Sequence, residues 1–255
     1  MDNTLVIGLS RQTALQRELD VIANNIANVN TAGFKTNGII FSAFLRPGSE
    51  TDTLSSTGRR PGLDNMSWQD MSQGTIQQTG GPLDVAIDGD GMLVVQTAQG
   101  ERYTRNGALQ LNNLGELVTL SGDKVLGDNG PIILQPTDRD VVINKDGTIK
   151  VREGISLTSD TTRGKLRLVK FENPQQLRKQ GAATFAAPDG VQPVPVAEKD
   201  ARVVQGAIEK SNVRPVVEMS RMIEVTRAYT EIATMLQQQN DLRKNSLQQL
   251  SEVPA

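Results

Sequence analysis

Residues 19–35, Leu19-Asp20-Val21-Ile22-Ala23-Asn24-Asn25-Ile26-Ala27-Asn28-Val29-Asn30-Thr31-Ala32-Gly33-Phe34-Lys35, decide how the rest of the chain is read. Leu19, Ile22, Ile26 and Val29 recur three and four residues apart, which is helical spacing. Asn30-Thr31-Ala32-Gly33 then supplies a stop, because glycine readily takes the left-handed conformation that ends a helix. Carried backwards, the same seven-residue frame takes in Leu5 and Leu15, with Gly8 and Gln12 as weak members. A helix is therefore predicted from Asn3 to about Asn28. A second seam lies at the other end of the chain: Met219, Met222, Thr226, Tyr229, Ala233, Leu236, Leu247 and Leu250 share one frame, broken by Asn240 and Arg243. Its helix should start near Pro215, a residue suited to a first helical turn, and run to about Leu250. A seam this narrow needs another helix more than a broad core, which points to assembly.

Between the seams the pattern changes. Arg46 to Thr53 and Ser55 to Gly62 have linker composition. From Gly80-Gly81-Pro82 onward, short apolar runs recur: Leu83 to Ile87, Met92 to Thr97, Ala108 to Leu111, Leu117 to Leu120, Ile132 to Leu134, Val141 to Ile143 and Ile149 to Val151. Turn-formers such as Asp88-Gly89-Asp90-Gly91, Asp128-Asn129-Gly130 and Asp146-Gly147 separate them, as in an antiparallel meander. Lys165 to Phe171 reads as a further strand, and Pro188 to Pro195 as a loop. The expected class is α+β, with N- and C-terminal helices forming a coiled-coil-like domain and a central all-β domain. The expected divisions are residues 1–45 (N-terminal helical segment), 46–80 (linker), 81–200 (β domain) and 201–255 (C-terminal helix).

Composition narrows the function. The 255 residues carry 27 basic and 29 acidic side chains for a net charge of -2, which provides no field for nucleic acid or anionic lipid. The chain has no cysteine and no histidine, so thiolate chemistry, the usual proton shuttle and the commonest metal ligand are all missing. The N-terminus lacks the pattern of a cleaved secretory signal, and no segment has the length of a transmembrane helix. The remaining motifs read most simply as structure. In an EF-hand register, Asp88-Gly89-Asp90-Gly91 would place Ala86 and Thr97 at key ligand positions, and Asn144-Lys145-Asp146-Gly147 would place Val142 at the first, so both are turns. Asp138 and Asp140 could serve glycoside chemistry, yet no aromatic sugar platform accompanies them. Asn24, Asn25 and Asn28 could cap or cross-link neighbouring helices through amide hydrogen bonds. The expectation is no catalytic residue, no metal, no cofactor and no enzymatic activity.

The quoted run also closely resembles the N-terminal signature of bacterial flagellar rod and hook proteins. Thr79 to Gly91, continuing through Tyr103-Thr104-Arg105-Asn106-Gly107 and Gly115 to Thr119, is similar to the β-domain signature of that family. Glu218 to Tyr229 is similar to its C-terminal one. The opening Met1 to Leu5 and the stretch Met71 to Gly80 are most similar to its proximal-rod members, with distal-rod members next. The resemblance implies terminal helices paired in an inner layer of a tubular axial structure, an outer β layer, and export without signal cleavage into a rod that spans the periplasm. Partners would be other rod proteins and copies of the same chain, with no nucleic acid, no small-molecule substrate and no membrane insertion. The expected assembly interface is Leu5, Leu15, Leu19, Ile22, Asn25, Ile26, Val29, Met219, Met222, Thr226, Tyr229, Ala233, Leu236, Leu247 and Leu250. Two other classes would also accommodate parts of the chain: a secreted β-rich enzyme, which needs paired carboxylates in a cleft, and a cytoplasmic coiled-coil adaptor.

Overall fold

The computed structural model describes residues 2–41, 65–153, 160–197 and 200–251; residues 46–64 of the predicted linker lie outside them. The first helix, α1 (Asp2–Ala27), is followed by β1 (Asn37–Phe41), β2 (Asn65–Gln69), β3 (Ile76–Gln78), β4 (Val85–Gly89), β5 (Met92–Thr97) and β6 (Gly100–Thr104). Next come β7 (Leu109–Leu111), β8 (Leu117–Thr119), β9 (Lys124–Gly127), β10 (Gly130–Pro131), β11 (Asp138–Ile143), β12 (Thr148–Glu153) and β13 (Asp160–Lys165). The chain continues through β14 (Leu168–Lys170), β15 (Arg178–Lys179), β16 (Thr184–Ala186), β17 (Val194–Pro195), β18 (Ala201–Gln205) and β19 (Ala207–Glu209) to the long helix α2 (Pro215–Ser251). The class is α+β.

The chain divides into two compact units. A helical unit comprises Met1–Ile26, Asn37–Trp68 and Arg214–Ala255; a β unit comprises Ala27–Thr36 and Gln69–Val213. Among the described residues the helical unit contains the two helices and the β1–β2 pair. In that pair Gly38 lies directly under the Trp68 indole, where an added Cβ would come within 2.3 Å of Nε1.

In the β unit the largest sheet runs β15-β16-β6-β5-β9-β8-β7, with β10 added on β9 and β14 joining β5 to β17. A separate three-stranded sheet is ordered β11-β12-β13, and β4 and β3 pair with β18 and β19 respectively. Strand β5 explains the layering. Leu93 and Val95 enter one apolar cluster with Val125, Ile149, Leu166 and Val203, while Met92 and Val94 enter another with Tyr103, Val169, Phe171 and Phe185. Alternate residues of a strand point to opposite faces, so a strand covered on both sides reads as the continuous apolar run seen here. Tyr103 and Phe171 meet edge to face at 4.8 Å between ring centroids.

Two predicted strands differ. Ile132 to Leu134 is not a strand: Ile132 and Leu134 are buried, but their backbones bond to different segments and only Ile133 bridges, to Glu116. Ile132 N–H still donates to Val125 O at 3.3 Å, but Ile132 O accepts from Leu117 N–H at 2.9 Å and Leu134 N–H donates to Gly115 O at 2.8 Å, so the run is divided between neighbours and forms no continuous ladder. The run Lys165 to Phe171 is split between β13 and β14, because Leu166 bridges to Gly127 and turns into the core. The C-terminal division assigned to helix opens with β18 and β19, and α2 starts at Pro215.

The end of α1 follows from the quoted stretch. Thr31 N–H donates to Asn28 O at 3.1 Å and its hydroxyl meets Asn28 Oδ1 at the same distance, closing a turn. Gly33 then adopts φ 68°, and an added Cβ would meet Asn106 N at 2.4 Å. Only glycine meets both the dihedral and the approach.

Candidate assembly surface

Helix α1 turns its stripe toward α2, and their contacts run in opposite directions along the two helices. Gly8 faces Leu236 so closely that an added Cβ would lie 2.6 Å from its Cδ2. Gln12 Nε2 donates to the Tyr229 hydroxyl at 3.1 Å, Arg221 Nη2 pairs with Glu18 Oε1 at 2.8 Å, and Asn25 Nδ2 donates to Glu218 Oε2 at 3.2 Å. The weak seam members thus have physical roles: Gly8 gives room for a leucine, and Gln12 meets a polar hydroxyl. Asn25, 1% exposed, is the buried polar centre of the helical unit. Its Oδ1 accepts from Asn37 N–H at 3.0 Å and its Nδ2 donates to Asn37 O at 2.9 Å, so one amide side chain acts as a strand partner for β1.

The predicted seam residues fall into several groups. Ile22 and Leu236 are buried; Leu15, Leu19, Ile26, Met222, Tyr229 and Ala233 are half-buried. Val29 lies beyond the end of α1, because the chain has already entered the Asn28–Thr31 turn. Met219 is 48% exposed, and Thr226 is exposed with its hydroxyl bonded to Met222 O at 2.7 Å. The side chains of Leu5, Leu247 and Leu250 lie outside the described residues. The covered face of α2 reads Glu218, Met222, Val225, Tyr229, Ile232, Leu236, Gln239, which is still a heptad spacing but one residue earlier at alternate positions. This frame covers Val225 and Ile232, larger apolar groups than Thr226 and Ala233, and it brings Glu218 to Asn25.

A second apolar stripe is left uncovered. Val216, Met219 and Ile223, spaced three and four residues apart, are 71%, 48% and 55% exposed. They lie on one helix face, away from the covered one. Met235 and Leu242, seven residues apart, are also exposed.

A buried ion cluster that the sequence reading did not identify occupies the β unit. Glu209 is 0% and Lys35 1% exposed as whole residues. Lys35 Nζ donates to Glu209 Oε1 at 2.5 Å and to Ser72 O at 2.6 Å; Arg105 Nη1 meets Glu209 Oε2 at 3.2 Å; Gly74 N–H donates to Glu209 Oε1 at 2.9 Å. Burial pushes the Lys35 pKa down, and the adjacent Glu209 carboxylate only partly counters it. Two buried cations share one buried anion. Lys35 lay within the quoted run, but nothing in sequence spacing connects residue 35 to 105 and 209.

The motifs set aside above are engaged in local structure. Arg202 donates to Asp88, and Gly147 N–H closes the β11–β12 turn on Asn144 O at 2.9 Å. Asp138 accepts two hydrogen bonds from Arg163, at 2.9 and 2.6 Å, which hold its carboxyl below the usual range. Asp140 pairs with Arg152 at 3.3 Å. Among the described residues no helix is long and apolar enough to cross a membrane.

Three family profiles match the chain: "Flagella basal body rod protein" over residues 5–35, "Flagellar hook protein FlgE/F/G D1 domain" over 86–151, and "Flagellar basal body rod FlgEFG protein C-terminal" over 204–250. The flagellar basal-body rod protein FlgF of Caulobacter vibrioides is 37% identical over 254 residues, covering 99% of this chain and 100% of that protein. FlgF of Salmonella typhimurium is 33% identical over 98% of this chain and 100% of its own length. FlgG of Bacillus subtilis is 38% identical over 72% of this chain and 73% of its own length.

Proposed function

The chain belongs to the flagellar basal-body rod protein family, and from that premise we propose that its terminal helices pair as a coiled coil and pack against those of neighbouring subunits to build the axial shaft. It is a structural subunit of the flagellar basal-body rod. The FlgF relatives match along nearly the whole chain and support a proximal-rod position; the FlgG match, over a smaller share, supports the distal rod as the alternative. The partners are other rod proteins and further copies of this chain, and the rod they build spans the periplasm.

The observation that carries this reading is the division of labour on α2. One face is covered by the chain's own α1, and a separate stripe of Val216, Met219 and Ile223 remains open to solvent. A repeated contact of this heterologous kind, which does not close on itself, builds a helical tube. Because these side chains are exposed in the single chain, a charge placed there leaves the subunit folded and penalises only a covering neighbour. The double variant Met219→Asp/Ile223→Asp should therefore keep wild-type thermal unfolding while disappearing from purified basal bodies and abolishing swimming. Normal incorporation and normal swimming would overturn the assignment of this face.

A further inference from the structure

At a single place the β unit braces three passes of chain against one another. Residues 33–36, 70–75 and 209–212 come from distant parts of the sequence. Three of the four points where the chain changes unit, 36/37, 68/69 and 213/214, fall within two residues of their ends. The first and third passes are joined by Gly33 N–H to Glu209 O at 2.8 Å, by the Lys35–Glu209 ion pair, and by Thr36 N–H and hydroxyl, both 2.8 Å from Asn212 Oδ1. The second pass is tied to both. Asp70 N–H donates to Thr36 O at 2.9 Å, Asn212 Nδ2 to Asp70 O at 2.7 Å, Gly74 N–H to Glu209 Oε1 at 2.9 Å, and Lys35 Nζ to Ser72 O at 2.6 Å.

Three side chains therefore do most of the bracing, and Lys35, from the first pass, bonds Ser72 O on the second and Glu209 on the third. Asn212 uses both ends of its amide, accepting from one pass and donating to another. Glu209 uses both carboxylate oxygens, and each meets a cation that is itself buried. A cluster in which each partner is buried and charged cannot be loosened on one side alone: withdrawal of the carboxylate leaves Lys35 and Arg105 uncompensated together.

We propose that these passes form a collar, a single cooperative clamp with Glu209 as its keystone, which locks the chain where it leaves the β unit. The collar yields as one piece or not at all. If the rod reading holds, a subunit twisted through its helices transmits the load to all three passes at once, and no pass slides past another. That consequence rests on the rod reading; the collar itself does not.

Hydrogen exchange on the purified full-length chain tests the collar independently of rod assembly. In Glu209→Gln, the amides of Gly33, Asp70, Gly74 and Lys210 should exchange faster together, by 30-fold or more, while those of Val94 and Val125 in the sheet core keep their protection. Acceleration confined to Gly33, Gly74 and Lys210, with Asp70 unchanged, overturns the cooperative collar. Equal acceleration of the sheet core overturns it as well, because the cluster is then merely part of the general core. Should Glu209→Gln not fold, Lys35→Met leaves the Glu209–Arg105 pair in place and should give the same joint pattern at 5-fold or more. Unchanged exchange there sinks the proposal. Swimming of the same variants bears only on the rod reading.

Discussion

Changing Asn25 to aspartate replaces one NH2 by one oxygen and should turn the helical unit into a pH-sensitive one. The acceptor for Asn37 N–H, now at 3.0 Å, survives the change, but the donor to Asn37 O at 2.9 Å and to Glu218 Oε2 at 3.2 Å is lost. Two carboxylates at that last separation repel by about 5 kcal/mol at an effective dielectric of ~20. The variant escapes by binding a proton between them. Holding a carboxyl protonated at pH 7, when an ordinary aspartate titrates near ~3.9, costs about 4 kcal/mol, and the missing donor adds about 1 kcal/mol. The loss relative to wild type should thus be about 5 kcal/mol at pH 7 and shrink to about 1 kcal/mol at pH 4, where the shared proton is supplied by the solvent. Urea unfolding followed by far-UV circular dichroism at the two pH values measures this, since most of the helix in the described chain is α1 and α2. Asn25→Asp/Glu218→Gln should reduce the pH dependence, because the neutral amide donates where the carboxylate repelled and only the burial of the introduced carboxyl beside Asn37 O remains. A loss of equal size at both pH values would refute the Asn25–Glu218 contact on which the calculation depends.

Two further outcomes follow from the β unit. Gly107→Ala would put a Cβ 1.7 Å from Val85 O, a backbone atom that cannot rotate away, and should destabilise the β unit by about 3 kcal/mol or more in a denaturant titration; a loss below about 1 kcal/mol would contradict that packing. Lys179, whose amine lies 3.7 Å from the Phe34 ring centre, has its pKa pushed down by burial to about 8. Its folded value is below its unfolded one, so the unfolded chain binds more protons between about pH 8 and the ordinary lysine value, and stability should rise with pH across that window. Solvent screening at a half-exposed amine reduces the gain to about 1 kcal/mol, and Lys179→Met should flatten that part of the profile.

Sequence periodicity determined the helices because a helix is a local object: the spacing of Leu15, Leu19, Ile22 and Ile26 and the stop at Gly33 place α1 within a residue or two of where it lies. The same holds for β5, where a run of four apolar residues needs no knowledge of its neighbours. Polar strands were not legible. Gly-Glu-Arg-Tyr-Thr in β6 and Asp-Thr-Thr-Arg-Gly-Lys in β13 carry no apolar alternation, and only their partners, β5 and β12, make them strands. On α2 two heptad frames one residue apart were both available in the sequence. The choice of Val225 and Glu218 over Thr226 and Met219 was made by what α1 presents, an asparagine at 25 that bonds a carboxylate.

The Lys35–Glu209–Arg105 cluster marks the same limit. Family resemblance was legible in the order of residues, since it is itself a property of order. The joining of residues 35, 105 and 209 was not, because burial and charge compensation are properties of a closed chain. Sequence alone set where the helices start and stop and which stretches are apolar; tertiary structure alone decided which helix face is covered, which is left open, and which single carboxylate serves two buried cations. The physical reason is that spacing acts over a few residues of backbone, whereas desolvation and charge pairing act over distances that only folding creates.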